Sequence, residues 1–383
     1  MTRLKTFKSI KIIESNKSIL LIRSDGIKIR YHSLWLRNNA LDGKTRDKLS
    51  GQRLIKYSDI PVNTFIKSAY LDKTGKNIFI VFMPEEKKIK FSSEWLIKYS
   101  YDKKKNKEKG WINSNLKIWN KNFSKNIPKI SYKIAKSNNA KLIKWLTSLY
   151  KYGFAKMDVG KIKSGALIEV ANLFGYVRET NYGKWFEVKS TIKAINLAYT
   201  NQGLAPHTDN PYRDPIPTMQ ILYCLENSVS GGNSIVVDGF NAAKILKKKN
   251  SYYFDLLSKY SAAFEFKQKN KVHLESSRPI IELSNSNEII AIRFNNRSLA
   301  PIVDVPYKKY RDYYNAYLLF SDIIHNDALA LKFKLKPGEC FILDNTRVLH
   351  AREAYSSKGK RWLQGCYVDK DSLLSKILTL NLK

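Results

Sequence analysis

A histidine and an aspartate two positions apart, His207 and Asp209, are the residues of this chain best suited to bind a metal ion. In extended backbone, side chains at positions i and i+2 lie on the same face, so both can point to one ion. Two histidines and one carboxylate form the facial triad that holds non-heme Fe(II) and leaves positions open for substrate and O₂. A His-x-Asp pair occurs by chance in many chains, so this interpretation depends on the neighbouring residues.

The third ligand is predicted at His350, one of five histidines, because it follows a strand-like run at residues 340–343. The other three histidines are interpreted as structural, surface or solvated residues. Arg361 follows His350 by eleven residues and lies in another strand-like run. A buried arginine beside a metal ligand suits a chelating cosubstrate with a second carboxylate, because arginine is always charged and binds carboxylates in a bidentate manner. For an arginine considered alone, a surface salt bridge would be the favoured interpretation.

The elements that must position these residues divide near residue 110. Short apolar runs separated by turn signals predict a small β-rich domain over residues 1–105. The lysine-rich segment 106–130 is predicted to be a linker. Residues 131–383 combine helices, predicted at 137–152 and 166–174, with many strand-like runs. This pattern predicts a mixed α+β domain built on a β-sandwich or jelly roll with flanking helices. We detect no internal repeat.

The composition is that of an ordinary folded protein with an unusual charge. The chain has 383 residues, 43% of them hydrophobic, and a formal net charge of +35. Neither a secretory signal nor an apolar run of the ~18 residues that cross a membrane is visible, so we expect a cytoplasmic protein without a membrane partner. Three widely spaced cysteines fit reduced, structural thiols rather than disulfides.

The positive charge also raises the possibility of a nucleic-acid-binding protein. The lysines are spread along the whole chain, however, and no zinc finger, basic zipper or RNA-binding aromatic motif accompanies them. We therefore expect no specific nucleic-acid partner. A positive field that attracts small anionic substrates is a second interpretation of the charge.

Seven runs, taken together, form a specific motif set that extends over most of the chain. With these motifs the sequence resembles the TauD/TfdA family of Fe(II)/2-oxoglutarate-dependent oxygenases, and within it the γ-butyrobetaine dioxygenase branch. The resemblance implies a double-stranded β-helix, or jelly-roll, catalytic domain with flanking helices, a small β-rich N-terminal domain and a homodimer. The runs are 178–183, 196–200, 206–214, 225–234, 237–240, 294–297 and 344–350.

The resemblance also implies a role for each matched residue. His207, Asp209 and His350 would ligate iron. Arg361 would bind the distal carboxylate of 2-oxoglutarate, and Ser234 would help to hold this cosubstrate. The reaction would consume O₂, with ascorbate as reductant, and would convert 2-oxoglutarate to succinate and CO₂ while the substrate is hydroxylated. A binding protein that keeps the fold without the chemistry is the alternative class, and the complete ligand set argues against it.

Aromatic residues at matching positions imply a trimethylammonium substrate. Such a cation has no N–H to donate, so the faces of aromatic rings are its suitable partners. The resemblance assigns Tyr182, Phe186, Tyr199 and Tyr367 to this cage. Animal members of the family have tryptophan where this chain has Phe186, and phenylalanine is the weaker cation–π partner. The neighbouring Trp185 could compensate only if the local backbone shifted.

The opposite end of the substrate is expected to be an anion. Asn196 and Asn295 match positions that hydrogen-bond the carboxylate of γ-butyrobetaine, which the family hydroxylates to carnitine. Arg297 is either a surface arginine near the pocket rim or a partner for a dianionic group. The second interpretation favours 2-trimethylaminoethylphosphonate, the substrate of a related branch in phosphonate catabolism. Trimethyllysine is a third candidate.

The N-terminal domain departs from the family pattern at a structural zinc site. Many relatives have three cysteines and a histidine there. The corresponding positions in this chain are Ala40, Asp42, Thr45 and Lys87. We therefore predict no structural zinc and expect apolar packing around Trp35, with an ion pair between Asp42 and Lys87, to hold the domain together.

Overall fold

The structure is a computed structural model that describes residues 6–102, 116–189, 201–356 and 358–381. Contacts divide the chain into two compact units, Met1–Asn106 and Lys107–Lys383. Within the described residues, no helix has both the length and the apolar character needed to cross a membrane.

The first unit contains two three-stranded antiparallel sheets, each followed by a short helix. Alternating buried and exposed residues along the strands place one face of each sheet in an apolar core, which also includes the buried leucines of both helices. The elements are β1 (Phe7–Ile13), β2 (Ser18–Arg23), β3 (Lys28–His32), α1 (Ser33–Asn38), β4 (Phe65–Leu71), β5 (Asn77–Met83), β6 (Lys87–Ser92) and α2 (Ser93–Lys98), with a 3₁₀ helix at Tyr57–Asp59.

The two halves of this unit repeat one another. Each helix begins immediately after the third strand of its sheet and carries tryptophan at its third position, Trp35 in α1 and Trp95 in α2. The two indole rings lie 5.6 Å apart, and the leucines that follow, Leu36 and Leu96, are both fully buried. The view that the chain has no internal repeat was wrong. The repeat is also visible in the sequence, because the pattern Lys-Ile-x-x-x-Ser-x-Trp-Leu occurs at residues 28–36 and again at residues 88–96.

The second unit is a mixed α/β structure with many strands. Its strands are β7 (Lys129–Ser131), β8 (Phe154–Asp158), β9 (Val177–Arg178), β10 (Phe186–Lys189), β11 (Leu204–His207), β12 (Met219–Asn227), β13 (Ser234–Asp238), β14 (Ser261–Gln268), β15 (Val272–Pro279), β16 (Ile281–Leu283), β17 (Ile289–Ile292), β18 (Leu331–Phe333), β19 (Glu339–Asp344), β20 (Val348–Arg352) and β21 (Arg361–Val368). Its helices are α3 (Tyr132–Ser137), α4 (Asn139–Tyr152), α5 (Ala166–Ala171), α6 (Gly239–Lys249), α7 (Ser251–Lys259), α8 (Tyr310–His325) and α9 (Lys370–Asn381), with 3₁₀ helices at Lys121–Asn126 and Tyr307–Lys309.

Two sheets of the second unit carry the residues expected to do chemistry. The larger has seven strands in the order β10-β21-β12-β19-β8-β7, with β9 also paired to β21. The smaller has four strands in the order β11-β20-β13-β18. Strands β7 and β8 pair in parallel, and the remaining pairs of both sheets are antiparallel. Helices α4 and α5 pack on the larger sheet, whereas α6, α7 and α8 share another apolar cluster.

The structure differs from the sequence prediction at several element boundaries. The helix expected from residue 137 is α4, and Asn138 caps it by accepting from the backbone N–H of Lys141. Gly153 ends this helix with a φ of 70°, as its position after the apolar periodicity predicted. In the segment predicted to be a linker, Trp119 and Phe123 are buried in a core cluster of the second unit. Residues 116–130 therefore pack as part of that unit.

Candidate metal centre and active site

His207 and His350 lie directly opposite each other on β11 and β20, and their rings are 4.3 Å apart. Asp209 follows β11 by two residues. Its Oδ1 is 3.3 Å from Nε2 of His207 and 3.8 Å from Nε2 of His350. The three side chains each offer a ligand atom, and these atoms lie within 4.8 Å of one another. The structure thus brings together the three residues predicted to bind the metal.

Asp209 is held in place through both its backbone and its carboxylate. Its backbone N–H donates to Oδ1 of Asn345 at 2.7 Å, and Nδ2 of Asn345 donates to its carbonyl at 2.9 Å. The next residue, Asn210, turns the chain with a φ of 54°. Oδ2 of Asp209 accepts from Gln220 Nε2 at 2.7 Å and from the Tyr367 hydroxyl at 2.9 Å. These two donors occupy Oδ2, and Oδ1 faces the histidines.

The protonation of these residues fits a divalent metal. Nδ1 of His207 lies 2.8 Å from the carbonyl of Ala205, which fixes the proton on Nδ1 and leaves a lone pair on Nε2. Burial lowers the pKa of His207, and it lowers the pKa of His350 to about 3, so both rings are neutral near pH 7. Burial alone would raise the pKa of Asp209, but His350 and His207 outweigh it and lower that pKa. Two neutral imidazoles and one carboxylate are the donor set of a non-heme Fe(II) site.

A buried ion pair fixes the turn between β19 and β20 that leads to His350. Arg347 donates from Nε and Nη2 to the two carboxylate oxygens of Asp238 at 3.0 and 2.7 Å, and both side chains are almost completely buried. At the start of the same turn, Nζ of Lys370 lies 2.6 Å from Oδ2 of Asp344. The third metal ligand therefore follows a segment whose backbone is anchored at both ends.

A cavity of about 370 Å³ adjoins the triad. Ten of the twelve predicted site residues line it, and the other two, Asn196 and Tyr199, lie outside the described residues. The ten are His207, Asp209, His350, Arg361, Ser234, Tyr182, Phe186, Tyr367, Asn295 and Arg297.

One region of the cavity wall contains two buried arginines and a serine. Nε of Arg361 lies 3.3 Å from the carbonyl of Gly232, and burial lowers the pKa of Arg361 to about 10, so it remains a cation near pH 7. Ser234 on β13 pairs directly with Arg352 on β20. Arg352 was not among the predicted site residues, although it stands two residues after His350 and so falls on the same face of the strand. This part of the cavity can accept a carboxylate.

Aromatic rings form another part of the wall. The ring of Phe186 lies 6.2 Å from that of Tyr182 and 5.3 Å from that of Tyr367. Phe266, which was not among the predicted site residues, lies 6.1 Å from Tyr182 and stacks on Tyr212 at 5.1 Å. Phe266 belongs to the β14–β15 hairpin, which carries no motif that the family resemblance includes. We refer to Tyr182, Phe186, Phe266 and Tyr367 as the aromatic wall.

Trp185 does not substitute for the tryptophan that Phe186 replaces. It packs against the apolar cluster under the larger sheet, near Gly165, and it does not line the cavity. Trp185 precedes β10, whose first residue is Phe186, and the two rings pack on different sides of the larger sheet.

Two polar residues stand near the aromatic wall and the triad. Asn295 is buried; its Nδ2 donates to the carbonyl of Thr208 at 3.1 Å and its Oδ1 accepts from the backbone N–H of Arg297 at 3.0 Å. Among the described residues Asn295 donates one hydrogen bond, and the amide can donate a second. Arg297 lines the cavity, and after burial its charge is the next largest influence that lowers the pKa of His207. The charge of Arg297 therefore acts inside the site.

Three of the four residues at the expected zinc-ligand positions lie together in the first unit. Nζ of Lys87 is 3.0 Å from Oδ1 of Asp42 and 3.1 Å from Oγ1 of Thr45, which donates to Oδ2 of Asp42 at 2.7 Å. The predicted ion pair between Asp42 and Lys87 is confirmed. Ala40 is fully buried in the apolar core of the same unit.

Comparison with known proteins agrees with this geometry. Residues 119–367 match the family described as "Taurine catabolism dioxygenase TauD, TfdA family". The chain belongs to the TauD/TfdA family. It is an Fe(II)/2-oxoglutarate-dependent dioxygenase, and the matched segment contains the triad, Arg361 and the described residues of the cavity wall.

Individual relatives of this TauD/TfdA enzyme are similar along most of their length. Gamma-butyrobetaine dioxygenase of Pseudomonas sp. (strain AK-1) is 30% identical over 358 residues, which cover 93% of this chain and 92% of that protein. The human protein of the same name is 29% identical, with 91% of each chain covered. Mouse mitochondrial trimethyllysine dioxygenase is 28% identical and covers 93% of this chain and 84% of its own length.

Proposed function

We propose that this dioxygenase hydroxylates a small trimethylammonium compound, γ-butyrobetaine, to form carnitine. The observation that carries the proposal is the aromatic wall, which stands beside the metal triad and shares one cavity with the anion-binding side chains Asn295 and Arg297. Two of the relatives described above are named for the same substrate. The cavity therefore has groups that can bind each end of a zwitterion, and the triad lines the same cavity.

The proposed binding sites for the cofactors are the triad and the pair formed by Arg361 and Ser234. We propose that His207, Asp209 and His350 hold Fe(II), and that Arg361, with Ser234, binds the distal carboxylate of 2-oxoglutarate. When bound, Fe(II) and 2-oxoglutarate would supply the oxidation: 2-oxoglutarate loses CO₂ and takes one oxygen atom of O₂ to become succinate, and the other oxygen atom enters the substrate as a hydroxyl group. Ascorbate would serve as the reductant that keeps the iron ferrous.

The protein itself binds and orients the substrate. A trimethylammonium group cannot donate hydrogen bonds, and the faces of Tyr182, Phe186 and Tyr367 attract it through their ring quadrupoles. The amide of Asn295 and the guanidinium of Arg297 would hold the carboxylate, and Asn196 and Tyr199 remain proposed partners of the two ends. Fixing both ends leaves the methylene chain between them little freedom and brings one carbon to the metal.

A second candidate substrate is 2-trimethylaminoethylphosphonate. The specific observation in its favour is Arg297, whose guanidinium acts inside the cavity. A phosphonate carries up to two negative charges and three acceptor oxygens, and arginine binds such groups in a bidentate manner. An asparagine pair alone would suit a carboxylate, whereas an added arginine also suits the dianion.

A substrate panel tests the proposal. Purified enzyme with Fe(II), 2-oxoglutarate and ascorbate would be given γ-butyrobetaine, 2-trimethylaminoethylphosphonate or trimethyllysine, and product mass and succinate would be measured. The neutral tert-butyl isostere of γ-butyrobetaine is the control for the cation. We expect the highest kcat/KM with γ-butyrobetaine and little turnover of the isostere. Equal turnover of the isostere would contradict the role of the aromatic wall, and a clear preference for the phosphonate would transfer the assignment to the second candidate.

We propose further that the seven-stranded and four-stranded sheets form the double-stranded β-helix, or jelly roll, of the family, with the small β-rich unit as an N-terminal domain. We also propose that this N-terminal domain needs no zinc, because Lys87 places an ammonium beside Asp42 and Thr45. Elemental analysis of purified protein with stoichiometric zinc would contradict this. A cytoplasmic homodimer without a nucleic-acid or membrane partner completes the proposal.

A further inference from the structure

Tyr367 belongs to the aromatic wall and to the metal centre at the same time. Its ring lies 5.3 Å from that of Phe186 in the wall. Its hydroxyl donates to Oδ2 of Asp209 at 2.9 Å, and Oδ1 of the same carboxylate faces the two histidines. A single rigid side chain therefore spans the distance from the proposed cation site to a metal ligand.

The register of two strands produces this arrangement. Tyr367 on β21 pairs directly with Gln220 on β12, so both side chains lie on one face of the larger sheet. Nε2 of Gln220 donates to the same oxygen of Asp209 at 2.7 Å. Within the described residues, Oε1 of Gln220 is buried without a hydrogen-bond partner. The orientation of this amide is thus set by Asp209, and two adjacent donors hold one carboxylate oxygen.

The wall offers a matched comparison to Tyr367. The hydroxyl of Tyr182 lies 3.1 Å from that of Tyr212, whose hydroxyl donates to Oδ1 of Asn210 at 2.7 Å. Tyr182 therefore contributes a ring to the same wall while its hydroxyl is engaged away from the carboxylate of Asp209. Among the described members of the wall, Tyr367 is the one that a hydrogen bond joins to the triad.

We propose that Tyr367 is a positioning residue that couples occupation of the aromatic wall by a cation to the carboxylate ligand Asp209. The proposal rests on the proposed function in that the wall binds a trimethylammonium group. A cation over a phenol ring draws electron density from the ring and makes the O–H a stronger donor to Asp209. A cation at the wall thus changes how strongly Asp209 donates to a metal. Because coupling between two binding sites is reciprocal, the metal changes the affinity for the cation by the same factor.

Three variants separate this coupling from binding. Tyr367→Phe keeps the ring and removes the hydrogen bond to Asp209. Tyr182→Phe removes a hydroxyl from the same wall without touching Asp209. Gln220→Leu removes the other donor to Oδ2 and leaves the four residues of the aromatic wall unchanged. Loss of a donor to a metal ligand lowers metal affinity about 10- to 100-fold, so Tyr367→Phe and Gln220→Leu should both bind Fe(II) more weakly than Tyr182→Phe does.

The decisive measurement uses the full-length enzyme with Fe(II) and 2-oxoglutarate under anaerobic conditions. The visible absorption of the complex and its Fe(II) affinity would be recorded with and without γ-butyrobetaine, and with tetramethylammonium as a probe that fits the wall alone. In the wild type, we expect a shift of the absorption band and a change in Fe(II) affinity of about 5-fold or more. Tyr182→Phe and Gln220→Leu should keep the shift, and Tyr367→Phe should lose it while still binding γ-butyrobetaine.

The possible results distinguish this inference from the proposed function. If the wild type binds γ-butyrobetaine and Tyr367→Phe shows the same band shift and the same change in Fe(II) affinity, the coupling is refuted and the proposed substrate stands. If the wild type does not bind γ-butyrobetaine, the proposed function fails and the coupling fails with it. If all three variants lose the shift equally, general disturbance of the site explains the result and Tyr367 has no special role.

Discussion

Phe186 and Gly365 lie directly opposite each other on β10 and β21, and the phenyl ring covers the place where a side chain of residue 365 would begin. A Cβ added to Gly365 would overlap three atoms of that ring. The glycine is therefore what allows Phe186 to lie flat against the sheet and face the cavity.

Gly365→Ala should displace Phe186 from the aromatic wall. The backbone conformation at Gly365 does not require glycine, so the effect is steric and falls on the ring. With a cation–π contribution of about 0.5–2 kcal/mol, we expect KM for γ-butyrobetaine to rise roughly 2- to 30-fold. Steady-state kinetics would measure it. Addition of Phe186→Leu as a second change should cause little further loss, and a large additional loss would contradict the explanation.

Phe266→Leu tests the part of the wall that the sequence did not reveal. The substitution keeps an apolar side chain next to Tyr182 and Tyr212 but removes the ring face. Affinity for γ-butyrobetaine should fall about 2- to 10-fold because one cation–π partner is lost. Calorimetric titration would measure it, with the neutral tert-butyl isostere as control. Equal losses for both ligands would show that Phe266 acts only through packing.

Arg347→Met should destabilise the second unit strongly. The substitution leaves Asp238 buried without its guanidinium partner, and breaking such a pair costs about 3–5 kcal/mol. The matched control is Glu169→Gln, because the pair between Lys161 and Glu169 at 3.0 Å is largely exposed and such pairs contribute about 0–1 kcal/mol. Chemical denaturation of both variants measures the difference. Similar losses of unfolding free energy in both variants would show that burial of the ion pair between Arg347 and Asp238 does not determine its contribution to stability.

The turn between β4 and β5 should give the first unit an acid-sensitive stability. The side chain of Asn77 donates a hydrogen bond to the Asp72 carboxylate at 2.6 Å, and the Thr74 hydroxyl donates another. Together these bonds lower the pKa of Asp72 to about 2. An unfolded aspartate titrates near about 3.9, so the folded state is favoured above that pH and loses this advantage as the pH falls through about 2. The Tm of the wild type and of Asp72→Asn would be measured between about pH 6 and 2. The difference between the two Tm values should become smaller towards low pH. A constant difference would contradict the prediction.

The polar cluster of the first unit predicts that a zinc site can be introduced by substitution. The fourfold variant Ala40→Cys, Asp42→Cys, Thr45→Cys and Lys87→His supplies three thiolates and an imidazole, which is a structural zinc ligand set. We expect one zinc per chain in the variant and none in the wild type by elemental analysis. The threefold variant that retains Lys87 is the control, and stoichiometric zinc there would show that Lys87 is no obstacle.

Local rules were sufficient for the metal triad. The i, i+2 spacing of His207 and Asp209 and the strand before His350 follow from the geometry of extended backbone. The end of α4 at Gly153 was also predictable, because glycine readily adopts the left-handed conformation that ends a helix. These features depend on a few neighbouring residues.

Residues whose role depends on how distant strands pair could not be predicted from the sequence. Gln220 and Tyr367 donate to the same oxygen of Asp209 because β12 and β21 pair in one register, and a shift of one residue would separate the two side chains onto opposite faces. Phe266 reaches the cavity through a hairpin whose position is set by long-range packing. Helices α6 and α7 are a different case, since Asp238 and Asn250 cap them and such caps are visible in a sequence.

The hydrogen bonds of Asn345 to the backbone of Asp209 have a consequence for metal selection. Contacts within the protein, such as those of Asn345, hold the three ligands near one another. The spacing of the ligands is therefore not specific to one ion. A ready-made set of two imidazoles and a carboxylate ranks divalent ions by intrinsic affinity, and Ni²⁺, Cu²⁺ and Zn²⁺ all exceed Fe²⁺ in that order. Which ion fills the site in a cell is then a matter of supply, and inhibition by trace nickel, copper or zinc is the expected weakness of this enzyme.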